Sequence, residues 1–110
     1  MAKTYVQDGD ILTLAAPYSV TPGGGAKIGS IIGIALDTTA SGATGDFAVE
    51  GVFIVPKNSA EAWTVGVLLY WDDTNKVFTI TSSGNTKAGV ATVAAANPSS
   101  TGYCRLNGAF

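Results

Sequence analysis

The stretch Ala62 to Thr81, AWTVGVLLYWDDTNKVFTIT, reads as two strands and a turn. Val65 to Trp71 is a near-continuous apolar run, and Val77 to Thr81 alternates apolar with polar. Between them lies Asp72-Asp73-Thr74-Asn75-Lys76. Asp and Asn favour turns because their short side chains bond nearby backbone and tolerate left-handed φ. β-branched and aromatic residues suit a pleated, half-buried surface. The stretch therefore predicts a β-hairpin with a loop of about four or five residues. It carries both tryptophans, Trp63 and Trp71, with Tyr70 and Phe78. Aromatic side chains bury roughly 150–250 Å² each, so the hairpin is expected to anchor the core.

Outward from the hairpin, the pattern stays β. Asp10 to Ala15, Ala26 to Leu36, Phe47 to Val55, Lys87 to Ala95 and Tyr103 to Phe110 read as strands, separated by Gly-, Pro- and Asn-rich connectors. Gly29 and Gly33 speak against a helix over Ala26 to Leu36, since each interior Gly costs a helix about 1 kcal/mol. One helical turn is expected near residues 58–63, with Asn58 as N-cap and Glu61 three residues on. Lys3 to Gln7 reads as an extended arm. Residues 1–7 are thus expected to form an arm and residues 8–110 a single β domain. The connectors are too short for helical crossovers, so the strands should pair antiparallel, in a small barrel or sandwich.

An internal likeness runs through the chain. Gly33-Ile34-Ala35-Leu36 resembles Gly89-Val90-Ala91-Thr92, and Gly45 to Phe53 shares Gly-x5-Gly-x-Phe with Gly102 to Phe110. Either a strand–loop–strand unit occurs twice, related by a pseudo-twofold, or Gly-rich sequence coincides.

Composition excludes much chemistry. The chain of 110 residues has no His and one Cys, with a net charge of −2. Without His there is no Ser-His-Asp triad and no imidazole ligand. Cys104 has no disulfide partner and no imidazole base; it reads as a small apolar strand residue. The six cations are scattered, whereas nucleic-acid binding needs them clustered. Gly24-Gly25-Ala26-Lys27-Ile28-Gly29-Ser30 lacks the Lys that a phosphate-binding loop places before its Ser. Asp8/Asp10 and Asp72/Asp73 sit in turn-like sequence, and Asp73-x-Asn75 lacks the later Gly and Glu of a calcium loop. No enzyme, metal or cofactor is expected. MAKTYVQDGD has no signal-peptide core, and no apolar run reaches the 18 or so residues of a membrane span. The expectation is a protein made in the cytoplasm with no membrane partner. Trp63, Tyr70 and Trp71 are candidates for an exposed aromatic platform, and an outward aromatic marks an interface more often than a sugar site.

Several pieces together resemble a family of small phage proteins, the capsid cement or decoration proteins. They are Tyr5-Val6-Gln7-x-Gly9-Asp10-x-Leu12-Thr13-Leu14, Glu50-Gly51-Val52-Phe53, Pro56-Lys57, Ala62-Trp63-Thr64-x-Gly66, Tyr70-Trp71-Asp72-Asp73, Gly89-Val90-Ala91 and Arg105-Leu106-Asn107-Gly108-Ala109-Phe110. The resemblance implies a structural virion protein that binds the outside of a phage head and stabilises it. Its partner would be the major capsid protein, and it would act as a homo-oligomer, a trimer being favoured. Tyr5, Val6, Trp63, Tyr70, Trp71 and Phe110 are then the candidate interface residues. The arm Met1 to Gln7 either adds a strand to a neighbouring capsid subunit's sheet edge or pairs within its own domain. The alternative function is a carbohydrate- or cell-surface-binding β-module carried on the virion.

Overall fold

The structure, a computed structural model, describes residues 10–107. Among them are nine strands and no helix. The strands are β1 (Ile11–Ala15), β2 (Gly25–Ile28), β3 (Ile31–Ala35), β4 (Thr44–Ala48), β5 (Glu50–Pro56), β6 (Leu68–Asp72), β7 (Val77–Thr79), β8 (Thr86–Ala91) and β9 (Thr101–Asn107). They form two antiparallel sheets, in the orders β1-β4-β3-β2 and β5-β9-β8-β6-β7. One parallel bridge, Lys57 to Phe78, draws the end of β5 against β7 and curls the second sheet into a half-open barrel.

The expected hairpin is β6–β7. Asp72 pairs with Val77, leaving Asp73 to Lys76 as the loop. The Asp72 carboxylate accepts the Thr74 and Asn75 amides at 3.0 and 3.1 Å and the Asn75 side-chain amide at 2.8 Å. Those bonds hold its carboxyl below the usual range, the Asn75 backbone amide foremost. Lys76 closes the turn in the left-handed region, φ 58°. The strand starts later than its apolar run, because Thr64 to Val67 forms a turn with Gly66 at φ 87°.

Three sequence expectations are corrected. Ala26 to Leu36 is a hairpin, not one strand: Ile28 faces Ile31 across Gly29-Ser30, and Gly29 at φ 63° makes that two-residue turn. Phe47 to Val55 is likewise divided at Val49, where the chain passes from the first sheet to the second. The helical turn near residues 58–63 is a non-helical turn, in which Asn58 Oδ1 accepts the Ala60 amide at 3.0 Å. Glu61 is no cap. Its carboxylate receives Trp63 Nε1 at 3.0 Å, the Ile80 amide at 2.7 Å and Thr79 Oγ1 at 2.9 Å, tying the loop to β7.

The internal likeness is a repeat of structure. Ala35 faces Phe47 and Ile34 faces Ala48 in the first sheet. In the second, Ala91 faces Cys104 and Val90 faces Arg105, the pairs that the sequence likeness matches. The loops agree as well. Val20 and Thr39 exchange both backbone hydrogen bonds, as do Trp63 and Ala95. Gly23 and Gly66, both at φ 87°, donate to Ala35 O and Ala91 O respectively. Ala16 donates to Ala43 O, and Lys57 to Ser100 O. So β1, β2, β3 and β4 correspond to β5, β6, β8 and β9, and β7 is an extension found only in the second repeat.

Each repeat carries its own core. Ala16, Val20, Ala26, Ala35 and Phe47 cluster in the first. By the shared hydrogen bonding their counterparts are Lys57, Trp63, Leu69, Ala91 and Cys104. The last four join a larger cluster with Trp71, Phe78, Val55 and Leu106, and Ile32 and Ile34 of the first repeat enter it. The extra hairpin is therefore what joins the halves. The Trp71 ring packs against Gly25, so that a Cβ on Gly25 would stand 2.6 Å from Trp71 Cζ3.

Candidate interface

In an antiparallel pair, residues directly opposite one another share a sheet face. The register of the second sheet sets Val52 opposite Arg105, Arg105 opposite Val90 and Val90 opposite Leu68. Ile54 faces Tyr103 in the next row. The intervening rows (Phe53, Cys104 and Ala91; Leu106, Gly89 and Leu69) point into the core, which the burial of Cys104, Leu106, Leu69 and Ala91 confirms. The outward rows thus lay Val52, Ile54, Leu68, Val90 and Tyr103 around Arg105. Val52 and Ile54 are 54% and 57% exposed. Exposed single apolar residues are ordinary; a contiguous set across four strands marks an interaction surface. No ion pair engages Arg105 or Glu50 among the described residues.

A second feature lies where the repeats meet. Tyr18 Oη donates to Gly25 O at 3.2 Å and to Asp73 Oδ1 at 3.3 Å, and Trp71 Nε1 donates to the same oxygen at 2.9 Å. Lys76 Nζ sits 4.2 Å from the centre of the Tyr18 ring and 3.5 Å from Asp73 Oδ1. Partial burial pushes the Asp73 carboxyl upward, but the Trp71 indole, Lys76 and Tyr18 outweigh it and hold it below its usual range. Burial, with Asp73 beside it, pushes the Tyr18 phenol up to about 12. The groove here, about 380 Å³, is lined by Tyr18, Val20, Gly25, Pro56, Trp71 and Lys76. Its polar groups already bond one another, so its chemistry is that of a clasp between repeats.

The sequence-derived candidates fall into three groups. Trp63 and Trp71 are 2% and 1% exposed and belong to the core. Neither indole offers an open face to a sugar or a partner. Tyr70 is half-buried; alternation with Leu69 and Trp71 sets it beside Leu68 on the outward side. Tyr5, Val6 and Phe110 lie outside the described residues. Val52 and Ile54 are the exposed residues the sequence does not mark, although Glu50-x-Val52-x-Ile54 alternates with core positions. The cue was the period of two within a run that is apolar on both faces.

Two buried groups complete the picture. Lys57 is 3% exposed. Its Nζ donates to Asn58 O at 3.0 Å, Ser99 O at 3.3 Å and Glu61 O, and lies 5.7 Å from the Trp63 ring centre. A buried charge needs such partners, and these stitch two loops together. Cys104 is buried as a small core residue, and burial pushes its thiol up to about 12.

Among the described residues the polar side chains bond mainly the protein's own loops, and the second sheet shows an apolar outer face. The family model of the phage cement protein matches residues 6–106. The chain belongs to that family, and its role is structural: it associates with the phage capsid and stabilises it. No curated protein and no solved structure matched the chain.

Proposed function

We propose that this chain sits on the outer surface of the assembled phage head, bound to the major capsid protein, and braces the shell as a small homo-oligomer, a trimer being favoured. It is made in the host cytoplasm, catalyses nothing and reaches the head after folding. Residues 1–7 serve as an arm that reaches a neighbour, and the remainder acts as one unit. The observation that carries the reading is the apolar outward face of the second sheet, with Val52, Ile54, Leu68, Val90 and Tyr103 around Arg105, in a chain of the cement family. Burying such a face releases about 25 cal/mol per Å² of apolar surface.

The mechanism is mass action. A ligand that binds only the assembled shell stabilises it by RT ln(1 + [L]/Kd), about 2.7 kcal/mol per site at a hundredfold excess over Kd. Heads stripped of the protein and then saturated with it should melt at a higher temperature and retain DNA longer. Equal melting and equal retention with and without saturating protein would overturn the proposal.

A further inference from the structure

The hydrogen bonding of the long β4–β5 stretch decides where a further strand can and cannot go. The Val49 amide donates to Asp10 O, continuing the β1 ladder by one residue. The Lys57 amide donates to Ser100 O, continuing the β9 ladder. Backbone groups point to alternate sides along a strand, so odd-numbered residues from 43 to 57 all face one edge. β1 and β9 therefore lie end to end on that edge, Asp10 beside Val49 and Asn107 beside Glu50. The line of β1 is blocked by β9 immediately past Asp10. A strand prolonging β1 past Asp10 on that line would meet β9 rather than β5.

The opposite edge of β5 is open. Glu50, Val52 and Ile54 direct their amides and carbonyls to it, and among the described residues no strand pairs there. β3 leaves this edge after Ile34 meets Ala48, and β7 reaches it only at Lys57 and Asn58. Pro56 occupies an outward position, where its missing N–H costs nothing, as edge-strand prolines do. Native proteins guard such an edge with charges, Pro or bulges. Glu50 and Pro56 stand at its two ends, while Val52 to Val55 between them carries neither charge nor Pro, and Val52 and Ile54 are exposed.

We propose that this edge receives residues 3–7 of a second copy of the chain, as an added strand beside β5. The inference rests on the homo-oligomer reading above and names its contact. The donor segment is set by length and exit point. Nine residues precede Asp10, about 30 Å when extended at roughly 3.3 Å per residue. β5 has seven residues, about 23 Å on the same scale. Asp10, to which the segment is joined, lies beside Val49 at the β4–β5 crossover, and Lys3 to Gln7 reads as an extended arm. Main-chain bonds from Glu50, Val52 and Ile54 supply affinity; neighbours on a strand point to opposite faces, so Val6 is set on the face of Val52 and Ile54 and Tyr5 on the other. Donation from each copy to the next is heterologous, the kind of contact that builds a ring when the rotation between copies closes.

The test uses the full chain. Light scattering first establishes the mass of the parent protein. Ile54→Pro removes one outward amide while leaving the β5–β9 bonds, which odd-numbered residues make. Circular dichroism shows whether the variant is folded. Independently, Val6→Cys protein is mixed with Ile54→Cys protein under mild oxidation; Cys104 is buried and does not compete. The expected results are an oligomeric parent, a folded monomeric Ile54→Pro variant, and a disulfide between the two cysteine variants. An oligomeric parent with no inter-chain disulfide, or a folded Ile54→Pro variant of unchanged mass, overturns the inference and leaves the oligomer reading standing. A parent that stays monomeric overturns both. Should Ile54→Pro fail to fold, the cross-link alone decides.

Discussion

Gly25→Ala is the sharpest probe of how the repeats are joined. Gly25 lies in β2 of the first repeat, and Trp71 in β6 of the second. A Cβ at residue 25 would lie 2.6 Å from Trp71 Cζ3, 2.7 Å from Cη2 and 3.2 Å from Cε3. The ring has little room to yield. Its Nε1 is fixed to Asp73 Oδ1 at 2.9 Å, and Phe78 packs against it edge-on, with centroids 5.1 Å apart. Overpacking of this kind costs about 1–3 kcal/mol. Replacing Gly with Ala returns about 0.4–1 kcal/mol through the unfolded chain where the backbone accepts it. The net loss expected is about 1–2 kcal/mol. In urea, with a slope near 1.5 kcal/mol per molar, that is a midpoint shift of about 1 M. The cycle with Trp71→Phe isolates the contact, because a smaller ring leaves space for the methyl group. Gly25→Ala should then cost at least about 0.5 kcal/mol less in that background. An unchanged urea midpoint for Gly25→Ala, or the same cost in both backgrounds, refutes the idea that Trp71 seated on Gly25 locks the halves together.

Other outcomes follow from single groups. Glu61→Gln places an amide among three donors to the Glu61 carboxylate and should lower stability by about 1–3 kcal/mol, read as a lower melting temperature. Asp73→Asn should destabilise the protein at pH 7 and do so less at an acid pH below the usual carboxylate range. The Asp73 pKa is depressed in the fold, so its contribution is present above the unfolded value near 3.9 and disappears as pH falls through the folded one. Melting temperatures of both proteins at the two pH values check this. At the alkaline end the sign reverses. The Cys104 thiol and Tyr18 phenol are both pushed up to about 12, so between about pH 9 and 12 the unfolded state holds fewer protons and stability falls as pH rises. Unfolding midpoints of Cys104→Ala with Tyr18→Phe should decline less steeply over that range than those of the parent.

The hairpin Leu68 to Thr79 and strand β1 were legible because turn chemistry and periodicity agree there. Antiparallel pairing followed from short connectors. The breaks at Gly29-Ser30 and Val49 were not, for different reasons. Gly29-Ser30 is an ordinary two-residue hairpin signal, but the apolar residues around it run on without a polar interruption. Val49 is itself buried, so no change of composition marks where the chain changes sheets. The repeat shows only a handful of identities, because one hydrogen-bonding frame accepts different side chains: Ala16 corresponds to buried Lys57, and Val20 to Trp63. Lys57 was illegible for the same reason, since backbone carbonyls leave no pattern in sequence. For the interface, attention to aromatic residues pointed to Trp63 and Trp71, which the core claims. The outward side was carried by Val52 and Ile54, whose type does not distinguish core from surface.

The repeats are equivalent in backbone and unequal in what covers them. In the first, the row Gly25, Ile34 and Ala48 is buried, and Ile34 and Gly25 lie against the cluster that contains Trp71. In the second, the corresponding row of Leu68, Val90 and Arg105 faces outward. The first repeat, with a core of Ala16, Val20, Ala26, Ala35 and Phe47, has mostly small side chains to bury. It depends on the β6–β7 hairpin for the remainder of its apolar contact, and so should have no stability of its own. The consequence is a single unfolding transition, although the chain is built from two like units. Both tryptophans lie in the second repeat, so indole fluorescence reports on that half while far-ultraviolet circular dichroism reports on both. In a two-state molecule the two signals coincide. Loss of strand signal at lower urea than loss of fluorescence would mean that the first repeat opens while the second stands, and that the hairpin does not hold it.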